Sequence, residues 1–217
     1  MKQTICGLAV LAALSSAPVF AHQEGDFIVR AGIASVVPND SSDKVLNTQS
    51  ELAVNSNTQL GLTLGYMFTD NISFEVLAAT PFSHKISTSG GELGSLGDIG
   101  ETKHLPPTFM VQYYFGEANS TFRPYVGAGL NYTTFFDESF NGTGTNAGLS
   151  DLKLDDSWGL AANVGFDYML NDSWFLNASV WYANIETTAT YKAGADAKST
   201  DVEINPWVFM IAGGYKF

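Results

Sequence analysis

Three histidines, His22, His84 and His104, have the widest chemical reach in this chain. His84 and His104 flank a glycine-rich segment and can face each other across a hairpin base, with Asp98 and Glu101 nearby in sequence. Two imidazoles and a carboxylate would suit a divalent metal, but this spacing matches no compact ligand motif. Serine–histidine–aspartate chemistry needs a nucleophile in a setting such as G-x-S-x-G, and none occurs. The stretch "GGELGSLGDIG" has the glycines of a phosphate cradle but neither the lysine nor the following helix; it reads, like "NGTGTNAG", as a flexible loop. The residue types therefore point to no enzyme, no metal and no cofactor.

What the remaining side chains do depends on the elements that hold them. Met1 to Thr4 is a short basic start, Ile5 to Leu14 is apolar, and Val19 and Ala21 occupy the small-residue positions of a signal-peptidase site. Residues 1–21 are expected to be a cleaved leader and 22–217 a single domain. The sole cysteine, Cys6, falls in that leader, so no disulfide is expected. Losing Lys2 moves the formal charge from −12 to −13, with 9 basic against 22 acidic residues. Such a balance excludes nucleic acid as a partner, because phosphates need Lys and Arg. The acids cluster between apolar segments, as at Asp40, Glu92, Asp137, Asp156 and Asp201.

Eight segments alternate with period two: 26–37, 58–68, one from Ile72, 105–115, 122–136, one ending near Met169, one from Trp174, and 205–217. The clearest sets Leu60, Leu62, Leu64, Tyr66 and Phe68 against Gln59, Gly61, Thr63, Gly65 and Met67. Connections at 69–71, 116–121 and 171–173 are tight; those around 38–57, 87–103, 137–150 and 191–200 are long and polar. Short turns at one end and long loops at the other are the asymmetry of a transmembrane barrel. The expected fold is all-β: a closed, eight-stranded, antiparallel up-and-down barrel in the bacterial outer membrane, with both termini on the periplasmic side. A soluble ligand-carrying barrel has the same period with its faces exchanged. Aromatic residues near strand ends on the apolar face, glycines and mixed charges on the other, and a terminal Phe217 preceded by Tyr215 favour the membrane form.

The stretches "NSNTQLGLTLGYMFTDNI", "EVLAATPFSHKI", "HLPPTFMVQYYFG", "FRPYVGAGLNYTTFFD", "GLSDLKLDDSWG" and "NPWVFMIAGGYKF" resemble the OmpW family of small outer-membrane proteins along nearly all of the mature chain. That resemblance implies a hydrophobic channel for small apolar molecules, and in some members a surface antigen or docking point. It also makes Tyr215 and Phe217 look like the signal read by the outer-membrane assembly machinery.

Strand parity gives an independent reading of the lumen. Leu77 and Trp181 face inward, where polar filling is the rule, and Met67, Met110, Val208 and Met210 join them. These six are the expected ligand-binding or constriction residues of an apolar pocket for an acyl chain or similar small ligand, and Leu77 and Trp181 match the family's constriction. Arg30, Glu75, Gln112, Arg123, Asp167 and Lys216 form an expected polar plug on the periplasmic side, since opposed charges in a confined interior need partners. An apolar ligand stopped by that plug would leave sideways into outer-membrane lipid, near Pro81, Pro106 and Pro107, which donate no ladder hydrogen bond. The alternative is a surface-interaction protein, its acidic loops meeting phage, bacteriocin or host while the barrel only anchors them.

Overall fold

A strand turns successive side chains to opposite faces, so a period-two pattern buries one set of residues and exposes the other. The computed structural model describes residues 22–44 and 48–217; the expected leader, 1–21, lies outside them. In chain order the strands are β1 (Phe27–Val37), β2 (Ser41–Ser42), β3 (Glu51–Val54), β4 (Asn57–Met67), β5 (Ile72–Ala79), β6 (Phe82–Ser89), β7 (Asp98–Leu105) and β8 (Thr108–Tyr114). They continue with β9 (Phe122–Phe140), β10 (Leu149–Leu154), β11 (Ser157–Met169), β12 (Trp174–Ala183), β13 (Glu186–Ala193), β14 (Asp196–Glu203) and β15 (Trp207–Lys216).

Eight of these are barrel staves: β1, β4, β5, β8, β9, β11, β12 and β15 pair antiparallel in that order. Pairing of β1 with β15, from Ile28 opposite Lys216 to Val37 opposite Trp207, closes the ring. The faces are those of a barrel in lipid. Outward Ile33, Leu160 and Ile211 are 65%, 72% and 74% exposed, whereas inward Arg30 and Asp167 are 1% and 0% exposed. Outward aromatics pair across strands in two belts. Phe27 meets Tyr66 and Trp174 meets Tyr215 near the short turns; Tyr132 meets Trp158 and Tyr182 meets Trp207 at the far end. On β11, Trp158 and Tyr168 mark the two levels. Ten residues of tilted strand between them rise about 25 Å, the height of the apolar band of outer-membrane barrels.

The long connections are not loose loops. Strands β6 and β7 form a hairpin, β3 adds to β6, and β7 pairs with the far end of β9, which runs on to Phe140. Strands β10, β13, β14 and β2 make a separate four-stranded sheet. "GGELGSLGDIG" turns through Gly90 and Gly91, both left-handed at φ 63° and 50°, and its last three residues already belong to β7. "NGTGTNAG" contains a short helix, α1 (Gly142–Asn146), whose Asn141 side chain caps the amides of Thr143 and Gly144. Both segments read as flexible loop are thus ordered, because strands that outgrow the membrane still have ladder groups to satisfy. The fourth stave is also shorter than its pattern: Pro106–Pro107 separate β7 from β8.

Glycine makes the ring possible where backbones crowd. A Cβ on inward Gly32 would lie 2.1 Å from the Ile211 carbonyl oxygen, at the closing seam, whereas one on Gly213 would meet nothing within 4 Å. Gly32→Val is therefore expected to lower stability by about 1–3 kcal/mol in urea unfolding from lipid vesicles. The lipid-facing Gly213→Val should stay within about 0.5 kcal/mol of the parent in the same assay.

Candidate functional site

The lumen is stacked in three tiers, and the lowest is ionic. Arg30, on β1, reaches across the barrel: Nε and Nη2 donate to the Asp167 carboxylate at 3.2 and 2.6 Å, and Nη1 donates to Glu75. Nη2 also donates to the Tyr114 hydroxyl at 2.5 Å, and the guanidinium lies 5.6 and 5.4 Å from the ring centres of Tyr125 and Phe175. Glu75 accepts from Thr63 Oγ1 at 2.9 Å and Gln112 Nε2 at 2.7 Å; Asp167 accepts from Asn177 Nδ2 at 2.8 Å. Every charge is buried, so each is tolerable only with its partners in place.

Two residues expected in this plug are buried at the same end but bond to other partners. Arg123, at the start of β9, donates to the backbone carbonyls of Phe115, His22 and Asp70 and to no carboxylate. Lys216 pairs with Asp26 at 3.2 Å, at the end of the last stave. Both lie where strands meet turns, and exposed carbonyls or a nearby acid satisfy them first. His22, passed over as terminal, joins the network through Nε2 and Asp167 at 2.7 Å. It precedes the first strand, so no periodicity marks it.

The middle tier is apolar. Leu77, Trp181 and Val208 line a narrow chamber with Ala34, Val36, Ala79, Phe82, His104, Pro106 and Ile185. The Trp181 indole is satisfied by Ser179 Oγ at 3.0 Å, leaving its ring free to serve as wall. Met110 and Met210 face inward in the same buried cluster but do not line this chamber. Met67 is placed differently from its expected role: it lies with Ile28, Tyr114, Tyr125, Met169 and Phe175 at the short-turn end. Parity puts a side chain inside the barrel but says nothing of its height.

The upper tier lies above the lipid span. Leu52, Ile86, Ile99, Phe135, Leu149, Leu152, Tyr191 and Ile204, with His84 and His104, surround a second narrow chamber. Both extension sheets contribute to it. Alternation could have revealed these strands: in β6, Phe82, His84, Ile86 and Thr88 are buried, while Ser83, Lys85 and Ser87 face out. Those outward charges, with the Lys85–Asp98 and Lys103–Asp137 pairs, put the extension in water.

His84 and His104 stack at the junction of the chambers, with ring centres 4.9 Å apart and planes 6° from parallel. His104 lines both. Asp98 and Glu101 face solvent, and no group of three metal-ligating side chains occurs among the described residues. Burial holds His84 below the ordinary imidazole value despite its bond to the Asn55 carbonyl. Burial first, then the neighbouring His84, hold His104 down at about 3.

Residues 23–217 match the model of the OmpW family. The chain is 54% identical to outer membrane protein W of Escherichia coli over 216 residues, all of this chain and 99% of that one. The crystal structure of OprG from Pseudomonas aeruginosa superposes with a TM-score of 0.83 at 45% identity, covering 92% of this chain and 99% of that one. A Pseudomonas aeruginosa protein named dibenzothiophene metabolism operon protein PahQ is 27% identical over 221 residues, spanning the whole of both chains.

Two outcomes test this geometry. Arg30→Met strands the buried Glu75 and Asp167 carboxylates and should cost about 3–5 kcal/mol in lipid-vesicle unfolding. Adding Glu75→Gln and Asp167→Asn should recover most of that loss. For His104, a folded value below the unfolded 6.5 means its neutral ring stabilises the extension fully above about pH 6.5, and the contribution is lost as pH falls toward 3. Hydrogen-exchange protection of the β6–β7 amides, corrected for intrinsic rates, should decline by up to about tenfold per pH unit in that window. His104→Phe should flatten the slope.

Proposed function

The chain belongs to the OmpW family of outer-membrane barrels, and from that premise we propose that it is a passive conduit for small hydrophobic molecules. One observation supports this reading: two apolar chambers that share His104 lie one above the other, from the extension down to Leu77 and Trp181, in a barrel whose other end holds the buried Arg30 network. An apolar molecule gains by leaving water for the upper chamber, at roughly 25 cal/mol per Å² buried. It gains nothing by entering the plug, where it would part buried ion pairs. The route out is sideways. The β5–β8 ladder ends at Leu77 opposite Thr108, and Ala79 and Pro106 beyond it are chamber wall. Pro106 and Pro107 offer no amide to extend the ladder, so that seam is the weakest part of the wall. The relative named for a dibenzothiophene metabolism operon supports the reading, since that heterocycle is flat and apolar. Tyr215 and Phe217, exposed or half-buried at the end of the last stave, serve in this proposal as the address for the assembly machinery, and residues 1–21 as the export leader.

A second reading has its own support. Asp43, Asp155, Asp156, Glu186, Asp201 and Glu203 line a solvent-open groove on the extension, a surface suited to a basic partner. The two separate in one assay. Under the conduit, Trp181→Ala should raise uptake of a bulky apolar dye into cells by roughly tenfold, and Pro106→Ala/Pro107→Ala should lower it. Uptake indifferent to the protein and to both variants would leave the barrel as an anchor alone.

A further inference from the structure

The walls of the tract are not wholly apolar. Thr108 Oγ1 bonds the Pro106 carbonyl at 3.0 Å, Asn131 is held by Thr108 and Thr133, and the Tyr191 hydroxyl lies 3.2 Å from Thr200 Oγ1. His84 differs. Its Nδ1 lies 2.5 Å from the Asn55 carbonyl oxygen, which can only accept, so Nδ1 carries the proton. In the neutral ring Nε2 is then a bare acceptor. That atom is buried and has no hydrogen-bond partner. Stacking excludes His104 as its donor, because parallel rings 4.9 Å apart meet face to face. His104 contacts the rings of Phe82, His84 and Phe135 and makes no side-chain hydrogen bond among the described residues. An orphaned acceptor in a dry wall is costly unless something donates to it.

We propose that His84 Nε2 is a ligand anchor, and that the preferred cargo is an apolar body carrying one neutral hydroxyl, an alcohol or a phenol, rather than plain hydrocarbon or an ionised acid. This rests on the conduit reading and narrows its substrate class. The hydroxyl donates to Nε2 once neighbouring side chains part to uncover that sealed atom, while the body lies toward Leu77 and Trp181. An ether offers no donor, and a carboxylate would bring an unpaired charge into a chamber without a cation in its lining. Anchoring is also compatible with release. One neutral hydrogen bond is worth about fivefold to tenfold in affinity, enough to select a cargo and too little to hold it.

The test compares two isomers, 1-dodecanol and methyl undecyl ether, on the full mature protein in lipid bilayers. NMR reads two positions: the Leu77 methyls report whether the tract is filled, and the His84 Nε2 nitrogen shift reports whether it accepts a hydrogen bond. Dodecanol is expected to saturate the Leu77 signal at roughly fivefold to tenfold lower concentration than the ether, and only dodecanol should move Nε2. His84→Phe, which keeps a ring against His104, should erase the alcohol's advantage and leave the ether unchanged. If that variant fails to insert, the isomer pair on the parent protein decides alone. Equal midpoints with an unmoved Nε2 would overturn the anchor and leave the conduit standing; so would an Nε2 already bonded by a resident water that dodecanol does not displace. A Leu77 signal indifferent to both isomers would bring down the conduit and the anchor together.

Discussion

Hydrocarbon offers no partner to a backbone amide or carbonyl, and this constraint shapes the molecule more than any single contact. Each stave must find both its ladders within the protein, so the eighth strand has to return to the first, and it does along nearly its whole length. A ring of only eight strands leaves an interior just wide enough for side chains to fill. Crowding then decides which residues fit. Glycine stands where a Cβ would strike a neighbour, as at Gly214, where it would lie 2.1 Å from the Phe175 ring. The few long polar side chains inside are saturated by one another instead of by water.

The ionic tier follows from that confinement. A guanidinium with five donors can tie several strands together, and Arg30 uses them on β4, β5, β8 and β11 at once. The network fills the periplasmic half of the lumen with buried, mutually paired charge. The strands that rise beyond the outer aromatic belt do the opposite. They pair into two sheets whose outward faces carry lysines and acids and whose inward faces carry leucine, isoleucine, phenylalanine and valine. They meet the apolar chamber below at His104, which lines both. The similarity to OprG over nearly the whole chain shows that the barrel fold is shared within the family.

Much of this could be read along the chain. Period-two alternation, tight turns set against long connections, and aromatics at strand ends located all eight staves and told outside from inside. The reason is local: parity depends only on neighbours two residues away. The same logic placed Arg30, Glu75, Gln112 and Asp167 in the lumen. It overlooked the extension, although β6 and β13 alternate, because their polar outer residues and glycine-rich turns resemble loop composition. "KISTSGGELGSLGDIG" looks soft, yet its ends are paired strands.

Parity could not supply height or partners. Met67 and Leu77 share an inward face, but tilt and register put one among the tyrosines at the short-turn end and the other in the chamber wall. Arg123 looked like a candidate for ion pairing and instead collects three carbonyls. His22 meets Asp167 across 145 residues of sequence, and His84 stacks on His104 only because β6 and β7 pair in the register that sets Phe82 opposite His104. The chain by itself thus determined the fold, its orientation toward lipid and which side chains turn inward, since these follow from short-range spacing. Tertiary structure alone decided which inward residues meet, at what level, and which buried polar atoms are left unpaired, because those are set by strand register around a closed ring.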